Sequence, residues 1–417
     1  MRAPGDSADA GVGGALACQR HRFTLADGSH YLNCAYMGPL PRVAQEAGVA
    51  AIRRKGDPSG IVASDFFEQS DGARRRFAAL IGADAARIAI VPAASYGIAT
   101  VARNTPLRAG QTIVVLAEQF PSNVYAWRRL AARSGAELVT VAAPASDRRG
   151  EAWNAALLEA IDARTALVAV PHVHWTDGTR FHLEAVGAQT RAVGAALIID
   201  GTQSIGALPF DLAAIRPDAV VCAAYKWLLG PYAIGFTYYG ARYDDGEPLE
   251  ETWIARRDSD DFRGLVHYRD EYSPGATRFD VGERSNFILV PMANAALDCV
   301  LEWQPRRIQE YCARLTAELI AEARVLGFGI EDAAWRASHL FGLRTPPGLD
   351  LEGLQRSLRA RAIAVSLRGS ALRVSPNVYN DEEDTTTLLE ALRAAVSASG
   401  TTAADPSAGP AASAPAH

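Results

Sequence analysis

The sequence predicts an α/β protein built on a mostly parallel, seven-stranded sheet. Seven short runs are rich in valine, isoleucine and alanine, and several are almost continuously apolar. Such runs are typical of strands that helices cover on both faces. Amphipathic stretches separate them, and this alternation of strand and helix favours parallel pairing. The predicted strands are residues 86–92, 112–118, 137–143, 166–172, 196–200, 218–224 and 234–239.

Helical periodicity is clearest in three of the intervening stretches, at residues 124–134, 153–161 and 183–193. The pattern changes after about residue 275, where a long helical segment is interrupted by Pro305. Shorter strands and helices follow, and together they predict a smaller α+β domain packed on the large one. Its predicted elements are a helical segment at 292–325, strands at 339–345, 363–367 and 371–376, and helices at 351–361 and 381–396.

Both ends of the chain are rich in alanine, serine, glycine and proline, and they carry too few apolar side chains to form a core. We therefore expect a disordered leader over residues 1–20 and a disordered tail over 397–417. The large domain is then predicted to span residues 21–274, and the small domain residues 275–396.

The composition argues against several classes of protein. The chain has 417 residues, is 49% hydrophobic and carries a formal net charge of −5. No run of 18 apolar residues occurs, which excludes a transmembrane helix, and the mild acidity argues against binding to nucleic acid or to an anionic membrane. The five cysteines include no C-x-x-C pair. They fit neither a disulfide framework nor a zinc site, and they predict a reducing, cytoplasmic location.

Only two of the 42 basic residues are lysines, Lys55 and Lys226. Neither belongs to a Gly-Lys-Ser/Thr motif, which excludes a P-loop. Lys55 lies among arginines and before a glycine, as expected of a solvated helix end. Lys226 is flanked by apolar and aromatic residues, which favours burial over a surface position. Burial lowers the pKa of a lysine and frees its amine for covalent chemistry, which arginine cannot supply.

Three polar residues lie where two neighbouring predicted strands end. Asp200 ends one strand, Gln203 comes three residues later, and Lys226 follows the next strand. Because open α/β sheets bind ligands at the carboxyl ends of their strands, we expect a carboxylate, an amide and an amine to share one crevice. A simple turn carboxylate is the alternative for Asp200, because a glycine follows it.

The segment D-G-T-Q (200–203), followed about two dozen residues later by Y-K-W-L-L-G-P (225–231), resembles the aminotransferase class V family of fold-type-I pyridoxal-phosphate enzymes. The resemblance spans about residues 30–395, and the family includes cysteine desulfurases, selenocysteine lyases, isopenicillin N epimerase-like proteins and kynureninases. It implies that Lys226 binds pyridoxal 5'-phosphate as a Schiff base and later moves protons. Asp200 would pair with the pyridine nitrogen, and Gln203 would bond the ring oxygen. A carboxylate beside the nitrogen keeps it protonated and strengthens the electron sink.

The resemblance also assigns residues around the cofactor. Ser95, Tyr96 and Gly97 match the phosphate loop of the family, at a predicted helix start that Ser95 opens. An ordinary serine cap of a helix is the alternative there. Phe120 takes the position that stacks on the cofactor ring, and Asn123 is expected to reach the cofactor as well.

Substrate-binding residues follow in the same way. Arg373, in R-V-S-P-N-V-Y-N, matches the arginine that binds the substrate carboxylate, a role that suits a guanidinium fork. Tyr225 matches the Tyr-Lys pair of kynureninases, where it contributes to phosphate binding. Trp253 takes the position of a tryptophan that enters the neighbouring subunit's site in a homodimer, with a packed surface aromatic as the alternative. His174 or Trp175 is expected to line the substrate pocket.

Two further motifs carry weaker expectations. The family's Gly-Thr segment, which reaches phosphate across the dimer interface, has Ala276 after Gly275, so that Thr277 is the possible substitute. His172 and His174 are spaced like a metal pair, but no carboxylate or cysteine cluster completes a ligand set, so no metal is predicted.

The resemblance implies an enzyme that acts on a small α-amino acid, with its reaction left open. The leading hypothesis is Cα deprotonation by Lys226 followed by transamination or by β-elimination of the C–S lyase type. A persulfide-donating desulfurase is not expected, because residues 356–370 contain no cysteine. Kynureninase-like Cβ–Cγ hydrolysis, suggested by Phe120, Tyr225 and Trp253, is the second hypothesis. An epimerase is the third, and a non-catalytic cofactor-binding protein is the least favoured.

Overall fold

The seven predicted strands form one sheet in the computed structural model, which describes residues 14–146, 148–369 and 371–400. Residues 1–13 and 401–417, most of the predicted leader and tail, lie outside the described residues. The strands are β1 (His30–Tyr31), β2 (Ile88–Val91), β3 (Thr112–Leu116), β4 (Glu137–Val141), β5 (Thr165–Pro171), β6 (Ala196–Asp200), β7 (Ala219–Ala223), β8 (Gly235–Tyr239), β9 (Phe341–Arg344), β10 (Ile363–Ala364), β11 (Ser366–Arg368) and β12 (Ala371–Val374).

Helices lie on both faces of this sheet and connect its strands, and further helices follow in the C-terminal part of the chain. The helices of the described residues are α1 (Arg42–Gly56), α2 (Glu68–Ile81), α3 (Ala94–Arg103), α4 (Tyr125–Ser134), α5 (Arg149–Glu159), α6 (Leu183–Val193), α7 (Leu212–Ile215), α8 (Leu289–Trp303), α9 (Pro305–Leu315), α10 (Ala317–Val325), α11 (Leu351–Ala360) and α12 (Glu382–Ala398).

The sheet has the order β2-β8-β7-β6-β5-β3-β4. Its strands β7, β6, β5, β3 and β4 are parallel, and β8 runs antiparallel between β2 and β7. Side chains alternate between two cores along β6, where Leu197 and Ile199 pack in one and Ile198 in the other. Trp153 of α5 fills the first core and Trp127 of α4 the second. The mostly parallel, seven-stranded prediction is therefore confirmed.

The predicted helices form with small shifts in their bounds. Helix α6 has the predicted bounds, whereas α5 begins at Arg149, four residues before the predicted start. The long segment over 292–325 is three helices. Helix α8 ends at Trp303 and Pro305 begins α9, because proline fits the first turn of a helix but not its interior.

A second, antiparallel sheet of order β11-β12-β9 lies in the C-terminal part of the chain. Leu343 and Leu372 of this sheet pack in one core with Leu388 of α12. The N-terminal segment joins this region, because β1 pairs with β10. Packing extends into both predicted disordered ends: Leu16 is buried, and α12 runs to Ala398. Among the helices in the described ranges, none combines the length and apolarity that a bilayer crossing requires.

Candidate active site

A cavity of about 270 Å³ lies at the carboxyl ends of β2, β5, β6 and β7. This is the edge at which parallel α/β sheets bind ligands. Seven of the residues singled out from the sequence line it, namely Ser95, Phe120, Trp175, Asp200, Gln203, Tyr225 and Lys226. The expected meeting of carboxylate, amide and amine is therefore observed.

Lys226 lies three residues beyond β7 and is only 6% exposed. Burial, with a smaller contribution from the charge of Arg373, lowers the pKa of its amine to about 8, while the charge of Asp200 opposes the shift. Its Nζ lies 5.2 Å from the ring centroid of Phe120 and 5.4 Å from that of Tyr225. Lys55, in contrast, is exposed in α1, as predicted.

Close packing holds the backbone of Lys226 from the N-terminal side. The backbone N–H of Gly38 donates to the carbonyl of Tyr225 at 2.8 Å, and a Cβ at position 38 would overlap the carbonyl oxygen of Lys226. Only glycine allows this approach. The sequence offered no signal for it, because the two segments are almost 190 residues apart.

Asp200 ends β6 and is buried at the cavity wall. Its Oδ1 accepts a hydrogen bond from the backbone N–H of Thr202 at 3.0 Å. Burial raises the pKa of this carboxyl, while the bonds from Thr202 and the charge of Lys226 lower it. One oxygen of Asp200 therefore shapes the turn that brings the carboxyl to the cavity.

The amide of Gln203 has a fixed orientation. Its Nε2 donates to the carbonyl of Ala35 at 3.1 Å, and its Oε1 accepts from Nε1 of Trp227 at 2.9 Å. Because Nε2 carries two hydrogens, one remains for a ligand. His339 supports the same turn, with its Nε2 at 2.8 Å from the carbonyl of Gln203. Sequence reasoning missed Trp227 and His339 as supports.

The start of α3 forms one wall of the cavity, through Ala93, Ala94 and Ser95. Free backbone N–H groups and the helix dipole make such an end suited to phosphate. Ser95 does not open the helix as predicted, because Ala93 is the residue at the cap. Gly97 is one turn in and does not line the cavity. A Cβ there would overlap the Thr237 hydroxyl, so this glycine packs the helix onto the sheet.

Tyr96, the remaining member of the predicted phosphate loop, does not line the cavity either. Burial raises the pKa of its hydroxyl, and the neighbouring carboxylate of Glu250 raises it further. Asn123 is held away from the cavity because its Oδ1 accepts from Nε1 of Trp127 at 3.0 Å.

Phe120 and Trp175 form an aromatic corner of the cavity. Their ring centroids lie 5.5 Å apart with the planes at 83°, and Phe120 is 37% exposed. Nε1 of Trp175 donates to the carbonyl of Glu118 at 2.7 Å, which fixes the indole. Phe120 thus has a free face toward Lys226, as a residue that stacks on a ring requires.

His174 does not reach the cavity, contrary to expectation. Its ring is fully buried against Trp153, its Nδ1 lies 2.7 Å from Oγ1 of Thr176, and its Nε2 lies 3.3 Å from the carbonyl of Ala117. The alternation of side chains along the strand end places Trp175 in the cavity instead. In the described part of the chain, no cluster of three or more metal-ligating side chains occurs.

Arg373 touches the cavity through Trp175 rather than lining it directly. It is 1% exposed, and its Nη1 donates to the carbonyl of Trp175 at 2.8 Å. Trp253 lies elsewhere, 40% exposed in an aromatic cluster with Phe66 and Phe262. Thr277 donates to the carbonyl of Pro274 and does not line the cavity.

Several cavity residues carried no signal in the sequence. Thr202, Tyr232 and Ala233 line the wall near Lys226. The loop between β7 and β8, which brings Tyr232 and Ala233 there, turns at Leu229 and Ala233, which have φ of 53° and 64°. Left-handed backbone at residues other than glycine is rare, so this turn could not be predicted from residue type.

The donor set of the cavity fits a phosphorylated pyridine aldehyde. A buried amine with a lowered pKa, a buried carboxylate, an amide with one free hydrogen and a helix start line one cavity. These are the groups that would hold a carbonyl carbon, a ring nitrogen, a ring oxygen and a phosphate. Fold and site together define a pyridoxal-phosphate site on an open α/β sheet.

Comparison with known proteins identifies the family. The sequence model of the aminotransferase class-V family matches residues 58–388, and the chain belongs to this family. It is 28% identical over 376 residues to isopenicillin N epimerase from Streptomyces clavuligerus, which covers 87% of this chain and 94% of that protein. It is 26% identical over 344 residues to kynureninase from Burkholderia pseudomallei (strain 1106a), covering 78% of this chain and 79% of that one.

A solved structure shows the same fold. The structure of C-DES with glycine covalently linked to its PLP cofactor has a TM-score of 0.79 and 20% identity, and covers 90% of this chain and 98% of that chain. The predicted fold-type-I class, the predicted family and the predicted cofactor, pyridoxal 5'-phosphate, are thus confirmed.

Proposed function

We propose that this chain removes the Cα proton of a small α-amino acid with Lys226 as the base, and that transamination or β-elimination of the C–S lyase type follows. The observation that carries this proposal is the buried amine of Lys226, with a pKa of about 8, beside Asp200 in one cavity. When bound, pyridoxal 5'-phosphate supplies an electron sink that stabilises negative charge at Cα.

The residues of the cavity wall, and Arg373 behind Trp175, each have a role in this proposal. Asp200 would hold a proton on the pyridine nitrogen, and Gln203 would give its free amide hydrogen to the ring oxygen. The start of α3 at Ser95 would bind phosphate. Phe120 would cover one face of the ring and exclude water from it. Arg373 would bind the α-carboxylate and so orient Cα toward Nζ of Lys226.

A persulfide-donating reaction is not proposed, because the cavity lacks a cysteine thiol that could take up the sulfur atom of the substrate. None of the cavity-lining residues in the described ranges is a cysteine. Cys34, Cys222, Cys299 and Cys312 are buried, and Cys18 is part-buried outside the cavity. A lyase that releases its leaving group into solvent needs no such thiol.

Epimerisation is the second candidate, favoured by the 28% identity to an isopenicillin N epimerase. A two-base epimerase needs a second proton donor on the face opposite Lys226. Besides Lys226, the titratable side chains among the described cavity residues are those of Asp200, Tyr225 and Tyr232. Burial raises the pKa of Tyr225 to about 12, so this side chain can donate a proton near neutral pH but is a poor base for the return direction.

The hypothesis of kynureninase-like cleavage depends in part on Trp253, which lies away from the cavity of the same subunit. Trp253 is half-exposed in its aromatic cluster and does not line the cavity. We propose a homodimer in which Trp253 reaches the partner's site. Mixing Lys226→Ala with Trp253→Ala protein should then restore part of the activity that each variant lacks, because mixed dimers contain one intact site. No recovery after subunit exchange would contradict this arrangement.

Borohydride labelling tests the covalent role of Lys226. Reduction of the yellow holoenzyme should attach the cofactor to the peptide that contains Lys226, and Lys226→Arg should abolish the label. Lys55 is the internal control, because it is the other lysine of the chain. A label on the Lys55 peptide, or no label, would contradict the proposal.

Product analysis then separates the reactions. Transamination gives a keto acid and leaves the cofactor in its amine form, whereas β-elimination from cysteine gives pyruvate and hydrogen sulfide. Kynureninase-like hydrolysis gives an anthranilate-like product. Epimerisation gives the opposite enantiomer with solvent deuterium at Cα. Deuterium exchange without either elimination or a keto acid would favour the epimerase.

A further inference from the structure

Two arginines lie on one face of the hairpin formed by β11 and β12. Ser366 pairs with Arg373 across the two strands, and Arg368 is two residues beyond Ser366. Because side chains alternate along a strand, Arg368 and Arg373 share the face that Ser366 occupies. Arg373 donates to the carbonyl of Trp175, and the guanidinium carbon of Arg368 lies 5.4 Å from the Trp175 ring centroid. Both arginines therefore lie at the Trp175 corner of the cavity.

Neither guanidinium forms an ion pair with a carboxylate in the described part of the chain. Arg373 donates to the Trp175 carbonyl at 2.8 Å and to Oγ of Ser366 at 3.5 Å, and Arg368 donates to the carbonyl of Leu367 at 2.9 Å. In both side chains Nε is buried without a hydrogen-bond partner among the described residues. Several donors at this corner are thus left for a ligand.

Among the described residues, the other two arginines as fully buried as Arg373 are Arg74 and Arg284, and both pair with Asp280. Arg368 is half-buried beside Arg373. Isolated buried charges are costly, so a pair of unneutralised guanidiniums is expected where an anion binds. Arg368 also faces Arg373 closely enough for its charge to lower the pKa of Arg373, which burial lowers to about 10. One carboxylate would neutralise only one of them.

We propose that the substrate is an α-amino acid with a second acidic group, and that Arg373 binds its α-carboxylate while Arg368 binds the acid of its side chain. This inference rests on the proposed function, which supplies the α-amino acid. It makes Arg368 a specificity-determining residue. The aromatic corner fits the carbon chain between the two acids, since the rings of Trp175 and Phe120 are apolar surface between Arg368 and Lys226.

Matched amino-acid pairs test the inference in the holoenzyme. Glutamate is compared with glutamine, and aspartate with asparagine, by spectral titration of the cofactor band and by kcat/KM. The wild type should prefer the acid of at least one pair by about 10- to 100-fold, as one charge-assisted contact allows. Arg368→Gln should remove that preference, Arg368→Lys should keep part of it, and Arg361→Gln, which removes an exposed positive charge from the same region, should leave it unchanged.

The inference is overturned if the wild type has the same kcat/KM and the same spectral titration for acid and amide. It is also overturned if Arg368→Gln lowers kcat/KM for the acid and the amide by the same factor. Calorimetry with glutarate and butyrate separates this failure from failure of the proposed function. Glutarate, a dicarboxylate without an amine, should bind more tightly than butyrate, and Arg368→Gln should abolish the difference. If glutarate behaves so while no amino acid perturbs the cofactor, the proposed function fails and the two-arginine site stands. If glutarate and butyrate bind alike, the two-arginine site is wrong.

Discussion

The rate at which the apoprotein takes up pyridoxal 5'-phosphate should report the pKa of Lys226. Only the neutral amine attacks the cofactor aldehyde, and burial lowers the pKa of this amine from 10.5 to about 8. At pH 7 the neutral fraction is then roughly 300-fold larger than for an ordinary lysine. We expect the rate to rise about fivefold from pH 7 to pH 8 and to level off above pH 9.

Stopped-flow absorbance of the Schiff base measures this rate between pH 7 and pH 10. Arg373→Met should move the midpoint upward, because the charge of Arg373 lowers the pKa of Lys226. Arg361→Met removes an exposed charge and should leave the midpoint in place. A rate that keeps rising in proportion to hydroxide up to pH 10 would refute the reasoning, because Lys226 would then titrate like a solvated lysine.

The same pKa shift should appear in the stability of the apoprotein. The pKa of Lys226 is lower in the folded state than in the unfolded chain, so unfolding takes up a proton between pH 8 and pH 10.5. The free energy of unfolding therefore rises through this window as the amine loses its proton. Below pH 8 the free energy of unfolding is therefore about 3 kcal/mol lower than it is above pH 10.5. Lys226→Met should remove this pH dependence in urea unfolding, and an unchanged slope would refute the shift.

Three substitutions test the remaining contacts of the site. Asp200→Ala should lower the rate of Cα proton removal by on the order of 100-fold or more but weaken cofactor affinity much less, as single-turnover spectra and cofactor titration measure. Gly97→Ala should destabilise the protein by about 1–3 kcal/mol in urea unfolding, because its Cβ meets the sheet, whereas Gly60→Ala has open space and should cost little. Trp227→Phe should cost about 1–3 kcal/mol as well, since the buried Oε1 of Gln203 loses its donor. Equal effects of the two glycine substitutions, or a neutral Trp227→Phe, would contradict these contacts.

The sheet was predictable from the sequence because its strands are buried on both faces. Residues 196–199 are apolar on both sides of the strand. Burying both sides at once is typical of a parallel strand that helices cover on both faces. Asp200 and Lys226 were predictable for a related reason: Asp200 is the last residue of such a run, and Lys226 lies three residues beyond the next strand. A polar side chain at the end of an apolar strand lies at one known edge of the sheet.

The supports of the site were not predictable, because they depend on contacts between distant segments. Gly38 approaches Lys226 across the chain, and His339 reaches the turn of Gln203 from the region that follows α10. His174 shows the opposite error. The family resemblance suggested that His174 or Trp175 lines the pocket, and one residue of alternation along the strand end places His174 in the core and Trp175 in the cavity.

Arginine shows most clearly what structure adds to this sequence. The chain has 42 lysines and arginines, two of them lysines, so residue type alone ranks the lysines and leaves the arginines undistinguished. Pairing ranks them. Arg74 is as deeply buried as Arg373, yet it meets the carboxylates of Asp71 and Asp280, whereas Arg373 meets neutral oxygens. A buried guanidinium whose charge no neighbour balances is costly to keep in the free protein. Binding of an anionic group would balance it, which is why the charge of the substrate follows from the pairing of the arginines.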